Sequence, residues 1–332
     1  MASMSFLLGR RGLVERHLVK PKRLQKGDTV ALINPAGVTL QVQDVVDAQN
    51  RIESLGLKVR LGLHLLDRRG YFAGKDLDRA SDLNQQFSDK SIAGIIALRG
   101  GWGSARILEY LDYDLIRDNP KILLGFSDIT ALHLAIYSRT GLVTFHGPLG
   151  SSSWTSFSKE YLDRVLIQGE KVTFSNYSTV PGKEFRSAYG MHTIREGRSI
   201  GPLLGGNLSV LCGIIGSDYL PNFEGSILFL EDVGEDIYRI DRMLTALKLA
   251  GVLGGIKGFV FGQCTACSES ARGGSLSLEQ VLNDHIRPLG IPAWSGAMIG
   301  HIDDQFTLPL GIRTEIDARQ GFIRLLESPV RL

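Results

Sequence analysis

The chain has 332 residues, room for one large domain or two ordinary ones, and is 43% hydrophobic and 22% charged, the balance of a globular protein with a real core. A net charge of +2 gives no bulk electrostatic case for nucleic acid or an anionic membrane, and apolar runs such as Gly94–Leu98 and Val210–Ile215 are far too short to span a bilayer. Three cysteines, an odd number, make no disulfide framework and fit a reducing compartment, the cytoplasm.

The stretch from Met1 to Arg23 is basic, with Glu15 its single acid. Its short apolar Phe6-Leu7-Leu8 lies ahead of the arginines, the reverse of a secretory signal. An organelle transit sequence and a frayed extension both fit, and residues 1–20 read as an extension outside the fold. Asp28–Asn34 is a buried strand ended by Pro35-Ala36-Gly37. Gln41–Leu55 carries Val42, Val45, Val46, Ile52 and Leu55 at helical spacing, with Gly56 as its C-terminal stop. Leu57–Leu61 is a second strand, Ala80–Phe87 a helix, and Ile92–Leu98 a third strand, apolar throughout as a parallel strand covered on both faces must be. Arg99-Gly100-Gly101-Trp102-Gly103-Ser104 follows, then a helix from Ala105 to Tyr110.

Lys121–Gly125 is an apolar strand that runs into Phe126-Ser127-Asp128 and then a helix, Ile129–Tyr137. A side chain at such a strand-to-helix turn projects outward, and the first N–H groups of the helix lack intrahelical partners and can receive an anion. Ser127 is therefore a candidate nucleophile with part of an oxyanion hole beside it. The plainer alternative is an N-cap serine, and Ile129 departs from the G-x-S-x-G elbow. Leu142–Phe145 is a further strand, ended by His146-Gly147-Pro148. Strands alternating with helices predict a doubly wound parallel sheet, with ligands at the C-terminal ends of its strands. Both glycine-rich turns, at Gly100-Gly101 and Gly125–Ser127, fall at such ends. Neither a P-loop lysine nor a G-x-G-x-x-G fingerprint is present.

From Ser151 the composition turns polar and loop-rich. Trp154 is either hinge packing or an aromatic over the crevice. The domain reading is residues 21–165, a connector over 166–198, and a β-rich α+β part over 199–332. In that last part, Leu208–Ile215 is buried, Ser226–Leu230 is a strand delivering Glu231, Tyr238–Leu249 is a helix, Gly258–Gly262 is a strand, Ser268–Ser275 is a polar mobile stretch and Leu278–Ile286 is helical. Ile291–Met298 leads to Gly300-His301, and Phe306–Leu308, Arg313–Asp317 and Gly321–Leu325 are short strands.

A serine nucleophile needs a base, and the base needs an orienting group. Of seven histidines, His146 and His301 each end an apolar run beside a glycine, whereas His64, His133 and His285 sit within regular patterns. Glu231 is the candidate orienting carboxylate, with a salt bridge to Arg239 or Arg242 as its alternative role. The single Cys264-x-x-Cys267 pair reads as structural, since a lone pair with only Cys212 besides cannot build a four-cysteine zinc site.

Taken together, the segments 21–36, Gly70–Arg79, Arg99–Ser104, Pro120–Leu132, Gly201–Asn207, Leu230–Arg242 and Gly300-His301 resemble the LD-carboxypeptidase family of serine peptidases. That family includes the muramoyltetrapeptide carboxypeptidases of murein recycling and the microcin C immunity peptidases. The resemblance implies a triad of Ser127, Glu231 and His301, and oxyanion donors at the N–H groups of Asp128 and Gly101. It also implies a flavodoxin-like N-terminal domain, similar to class I glutamine amidotransferases, and a smaller β-rich C-terminal domain. A cytoplasmic homodimer using no metal or other cofactor is implied as well. The murein peptide is the expected substrate, with peptidyl- or aminoacyl-nucleotides the alternative. Gly100, Trp102 and Trp154 are the candidate substrate contacts, and a non-catalytic binding protein on the same fold is a third reading.

Overall fold

The computed structural model describes residues 17–176, 190–268 and 274–332. The arginines of the basic extension, part of the connector and most of the polar stretch after Ser268 lie outside the described residues. Two sheets organise the rest. In the first, β1 (Thr29–Ile33), β2 (Lys58–Leu61), β3 (Ile92–Ala97), β4 (Ile122–Gly125) and β5 (Phe145–His146) run parallel in the order 2-1-3-4-5, the flavodoxin-like doubly wound order. The short strand Leu308–Pro309 returns from near the C-terminus to pair antiparallel with β5.

The apolar runs of β1, β3 and β4 are buried because helices cover both faces of the sheet. Helix α1 (Val42–Glu53) turns Val45, Ala48 and Ile52 inward, and α2 (Asp76–Ser88) buries Ala80, Leu83 and Phe87. Helix α2 begins four residues before the apolar pattern does, because its first turn carries Asp76 and Asp78, which suit a helix N-terminus. Ser104–Tyr110 is a 3-10 turn rather than an α-helix. Tyr113–Asp118 forms α3, and α4 (Thr130–Thr140) follows the Ser127 turn and ends on Gly141 in the left-handed region. Helix α4 is buried on nearly every side, consistent with its place between the two sheets.

The second sheet has eight strands and mixed direction. Its centre is β8 (Arg198–Asn207), which follows β6 (Thr173–Ser175) and β7 (His192–Arg195), together with β9 (Ile227–Val233), β10 (Gly258–Thr265) and β11 (Ala293–Ser295). Strands β8 to β11 are mutually parallel. The final hairpin, Arg313–Asp317 with Phe322–Leu325, adds to β8 antiparallel. Leu208–Ile215 is helical at Leu208–Cys212, capped by the Asn207 side chain accepting from the Val210 N–H.

Residues 17–20, expected outside the fold, are docked. Val19 exchanges backbone hydrogen bonds with Gly141 and Val143, and Lys20 pairs with Glu327 at 2.6 Å. The odd cysteine count predicts no disulfide, but the structure has one. A turn with Ala266 in the left-handed region (φ 55°) brings Cys264 and Cys267 together, and they are bonded. Cys212 stays free, its thiol pushed up to about 12 by burial.

Candidate active site

Ser127 opens a 3-10 turn at the C-terminal end of β4 with φ 62°, in the left-handed region that few non-glycine residues adopt. It does not serve as an N-cap. Its Oγ faces His301 Nε2 at 3.0 Å, and His301 Nδ1 lies 2.8 Å from Glu231 Oε2. With the imidazole proton on Nδ1, His301 donates to Glu231 and its bare Nε2 accepts from the serine hydroxyl. Glu231 is fully buried inside β9, which continues three residues past Leu230 to Val233. Burial makes the carboxylate a poor guest without a proton donor, which favours an Nδ1 proton and any imidazolium that forms. Among the described residues neither alternative salt bridge is made: Arg239 pairs with Glu235 and Asp236, and Glu231 pairs with His301 and not with Arg242.

His146 is the histidine the structure sets aside. It is wholly buried between Phe126 and Phe229, and neither ring nitrogen has a partner among the described residues. Burial holds it well below the ordinary histidine value, so it stays neutral. Phe126 also lies against the His301 ring, with centroids 4.8 Å apart.

The two glycine-rich turns meet. A Cβ on Gly100 would stand 3.1 Å from Ser127 Oγ and 3.4 Å from the Asp128 nitrogen, so any side chain there would crowd the serine. The Gly100 carbonyl accepts from the Gly37 N–H at 2.9 Å. Because the peptide is planar and trans, the Gly101 N–H in the same plane points away from Gly37. Neither the Gly101 nor the Asp128 N–H donates to a backbone carbonyl among the described residues across these turns. Asp128 Oδ2 accepts from the Ser104 N–H at 2.7 Å, while the Ser104 hydroxyl donates to the Asp128 carbonyl, so the two turns are clasped from both sides. Burial pushes the Asp128 carboxyl up to about 6, against the pull of Ser104 and Arg79.

A nucleophilic hydroxyl, a base, a buried orienting carboxylate and free N–H groups beside the serine form a constellation capable of acyl transfer. Comparison with known proteins places the chain in a family. Residues 30–147 match the model of the LD-carboxypeptidase N-terminal domain, and residues 200–316 match that of its C-terminal domain. The chain belongs to the LD-carboxypeptidase family. It is 38% identical over 305 residues to the probable murein peptide carboxypeptidase of Bacillus subtilis, covering 91% of this chain and 92% of that one. It is 32% identical to the murein tetrapeptide carboxypeptidase of Pseudomonas aeruginosa, covering 85% and 91%. Among solved structures, the microcin C7 self-immunity protein MccF superposes with a TM-score of 0.84 at 27% identity, over 94% of this chain and all of that one. The muramoyltetrapeptide carboxypeptidase of Oxalobacter formigenes does so with 0.77 at 27% identity, over 90% and 97%.

In this member of the LD-carboxypeptidase family, several residues not named as site candidates from the sequence hold the site together. Arg79 is buried and donates to the carbonyls of Pro35 (2.5 Å) and Gly103 (2.9 Å), tying the loop after β1 to the Gly100 turn, and pairs with Asp76. Thr130 Oγ1, at the start of α4, accepts from the Asn207 N–H at 2.9 Å, joining the helix behind Ser127 to the sheet that holds Glu231. Gly300, at φ 110°, lets the chain pass where a Cβ would come within 2.6 Å of Glu231 Oε2. The loop after His301 is strapped by Ser158, whose hydroxyl donates to the Asp303 carbonyl and accepts from the Gln305 N–H, and by Thr155 on Asp304. Sequence offers no signal for Ser158, and for Thr130 it gives only a place in the resembling segment Pro120–Leu132, since their partners are 145 and 77 residues away.

Of the expected substrate contacts, Gly100 borders Ser127, and Trp102 is 47% exposed. Trp154 is a packing residue, its indole N–H donating to the Leu149 carbonyl at 2.8 Å. A cavity of about 290 Å³ opens beside His301, lined also by Phe126, Ser152, Ser153, Ile302, Asp303 and Gln305. No helix among the described residues is long and apolar enough to cross a membrane.

Proposed function

We propose that this protein is a serine L,D-carboxypeptidase that releases the terminal D-alanine from murein tetrapeptide, with Ser127 as nucleophile, His301 as base and Glu231 as its orienting carboxylate. The observation that carries the reading is the unbroken Ser127–His301–Glu231 relay at 3.0 and 2.8 Å. Ser127 Oγ attacks the carbonyl between the diamino acid and D-alanine while His301 Nε2 takes the hydroxyl proton. The N–H groups of Gly101 and Asp128 receive the oxyanion, each worth about 3 kcal/mol in such sites. The imidazolium, held by Glu231, passes its proton to the departing amine of D-alanine. Water, deprotonated by the same histidine, then opens the ester and returns Ser127. Arg99 is half-buried next to Gly100 and has no ion pair or side-chain hydrogen bond among the described residues. We assign it to the carboxylate of the leaving D-alanine, an anion that a carboxypeptidase must recognise.

Mass spectrometry of murein tetrapeptide incubated with wild type and with Ser127→Ala tests this. Loss of one D-alanine with wild type alone is the expected result; equal loss with Ser127→Ala would rule out the serine mechanism. The structural likeness to MccF supports a second reading, cleavage of peptidyl- or aminoacyl-nucleotides at their acyl bond. In that case exposed Trp102, rather than packed Trp154, offers a free ring face to a base. Turnover of an aminoacyl-nucleotide with the tetrapeptide left intact would select it.

A further inference from the structure

The cavity beside His301 has a chemical character of its own. Asp303 stands in its wall, exposed and with no ion pair among the described residues, and no lysine or arginine lines the space. Ser152 and Ser153 add hydroxyl oxygens. Gln305 is 1% exposed, and its Oε1 has no hydrogen-bond partner among the described residues although its amide NH₂ faces the Ile302 carbonyl. An unpartnered buried acceptor beside an unpaired carboxylate asks for a donor that carries positive charge. The backbone around it is fixed, because Ser158 holds both the Asp303 carbonyl and the Gln305 N–H.

We propose that this cavity is the subsite for the distal ammonium of the diamino acid on the acyl side of the scissile bond. The inference rests on the L,D-carboxypeptidase reading and extends it to substrate selection. The leaving D-alanine is an anion, so an acidic pocket without a cation repels it, and the pocket must serve the other side of the bond. A lysine-type side chain ends in an ammonium ion, with three donors to distribute among Asp303, the serine hydroxyls and the Gln305 oxygen. Asp303 and Gln305 are specificity residues here; the bond-breaking steps do not pass through them.

Steady-state kinetics on two tetrapeptides test the assignment. Both carry an acetylated N-terminus, which removes the other ammonium of the peptide. One has lysine at the third position and the other Nε-acetyl-lysine. Wild type is expected to favour the lysine peptide by about fivefold in kcat/KM, the scale of a solvent-exposed ion pair, with the difference in KM. Asp303→Asn, an exposed change that leaves the backbone bonds of Asp303 in place, is expected to bring the ratio close to one with kcat held. A ratio unchanged by Asp303→Asn overturns the subsite, and so does an equal fall for both peptides. Failure of wild type to release D-alanine from either peptide overturns the carboxypeptidase reading itself, and the subsite with it.

Discussion

Gly37 and Gly100 lie edge to edge, the N–H of one donating to the carbonyl of the other at 2.9 Å. This bond sets the plane of the Gly100–Gly101 peptide and turns the Gly101 N–H away from the strand β1 loop. A Cβ on Gly37 would press on the Gly100 oxygen at 2.8 Å. Gly37→Ala should rotate that peptide and remove one oxyanion donor. We expect kcat to fall roughly 100-fold with KM little changed, as for loss of a single donor. Steady-state kinetics on D-alanine release would check it, and an unchanged kcat would remove Gly101 from the oxyanion site.

Glu231 supplies the only carboxylate oxygen within hydrogen-bond reach of His301 Nδ1 among the described residues. Glu231→Gln keeps the size of the side chain beside Gly300 but offers no charge, and its amide can stabilise the wrong imidazole tautomer. The expected loss in kcat is on the order of 10³–10⁴. Near-UV circular dichroism should remain native. A loss below about tenfold would show that the carboxylate is not part of the relay.

Arg79 tests the clasp between loops. Its removal leaves the Pro35 and Gly103 carbonyls without their donor and breaks the pair with Asp76. Arg79→Ala should cost about 3–5 kcal/mol in denaturant unfolding, the range for breaking a buried ion pair. Arg79→Lys should recover only part, since an ammonium cannot fork to three acceptors in one plane. Full stability in Arg79→Ala would mean that the loops hold without it.

Acid should loosen the core beneath the site. His133 is fully buried, with Nε2 2.8 Å from the Gly125 carbonyl, and burial brings it down from 6.5 to about 4. Between those values the unfolded chain binds the extra proton and the folded chain does not, so stability rises with pH there. The contribution is complete above about pH 6.5, is lost as pH falls to about 4, and amounts to about 3 kcal/mol. His146 acts in the same direction. Asp128 opposes them: raised from 3.8 to about 6, it stabilises the fold at low pH and loses that contribution as pH rises through 6. Asp82 and Asp232, also raised by burial, act with Asp128, so the histidine contribution is read from a histidine variant and not from the net curve. His133→Gln keeps a donor for Gly125 and should flatten the pH dependence of Tm between 6.5 and 4; an unflattened curve would place the acid sensitivity elsewhere.

Local patterns carried much of this protein. Apolar runs bounded by glycine and proline located β1, β3 and β4, because a strand buried on both faces has no polar position to interrupt it. Ser127 was legible from the strand, turn and helix around it, and His301 and Glu231 from their places at the ends of apolar runs. What local pattern left open was which histidine serves the serine. Both His146 and His301 follow a strand, and only packing separates them: Phe126 and Phe229 enclose one, while the Ser158 and Gly300 contacts present the other to Ser127.

The disulfide, the docking of residues 17–20 and the role of Trp154 were likewise decided in three dimensions. The docking depends on partners far along the chain, the disulfide on a turn conformation that composition does not specify, and the Trp154 packing on how its own loop folds back onto Leu149. The sequence alone determined the parallel architecture and the strand-to-helix turn at Ser127, because these follow from periodicity and from residues adjacent in the chain. The tertiary structure alone decided the relay from Ser127 to Glu231 and the acidic cavity beside it. Those rest on groups up to 174 residues apart, whose meeting is fixed by how two sheets pack and by no local preference.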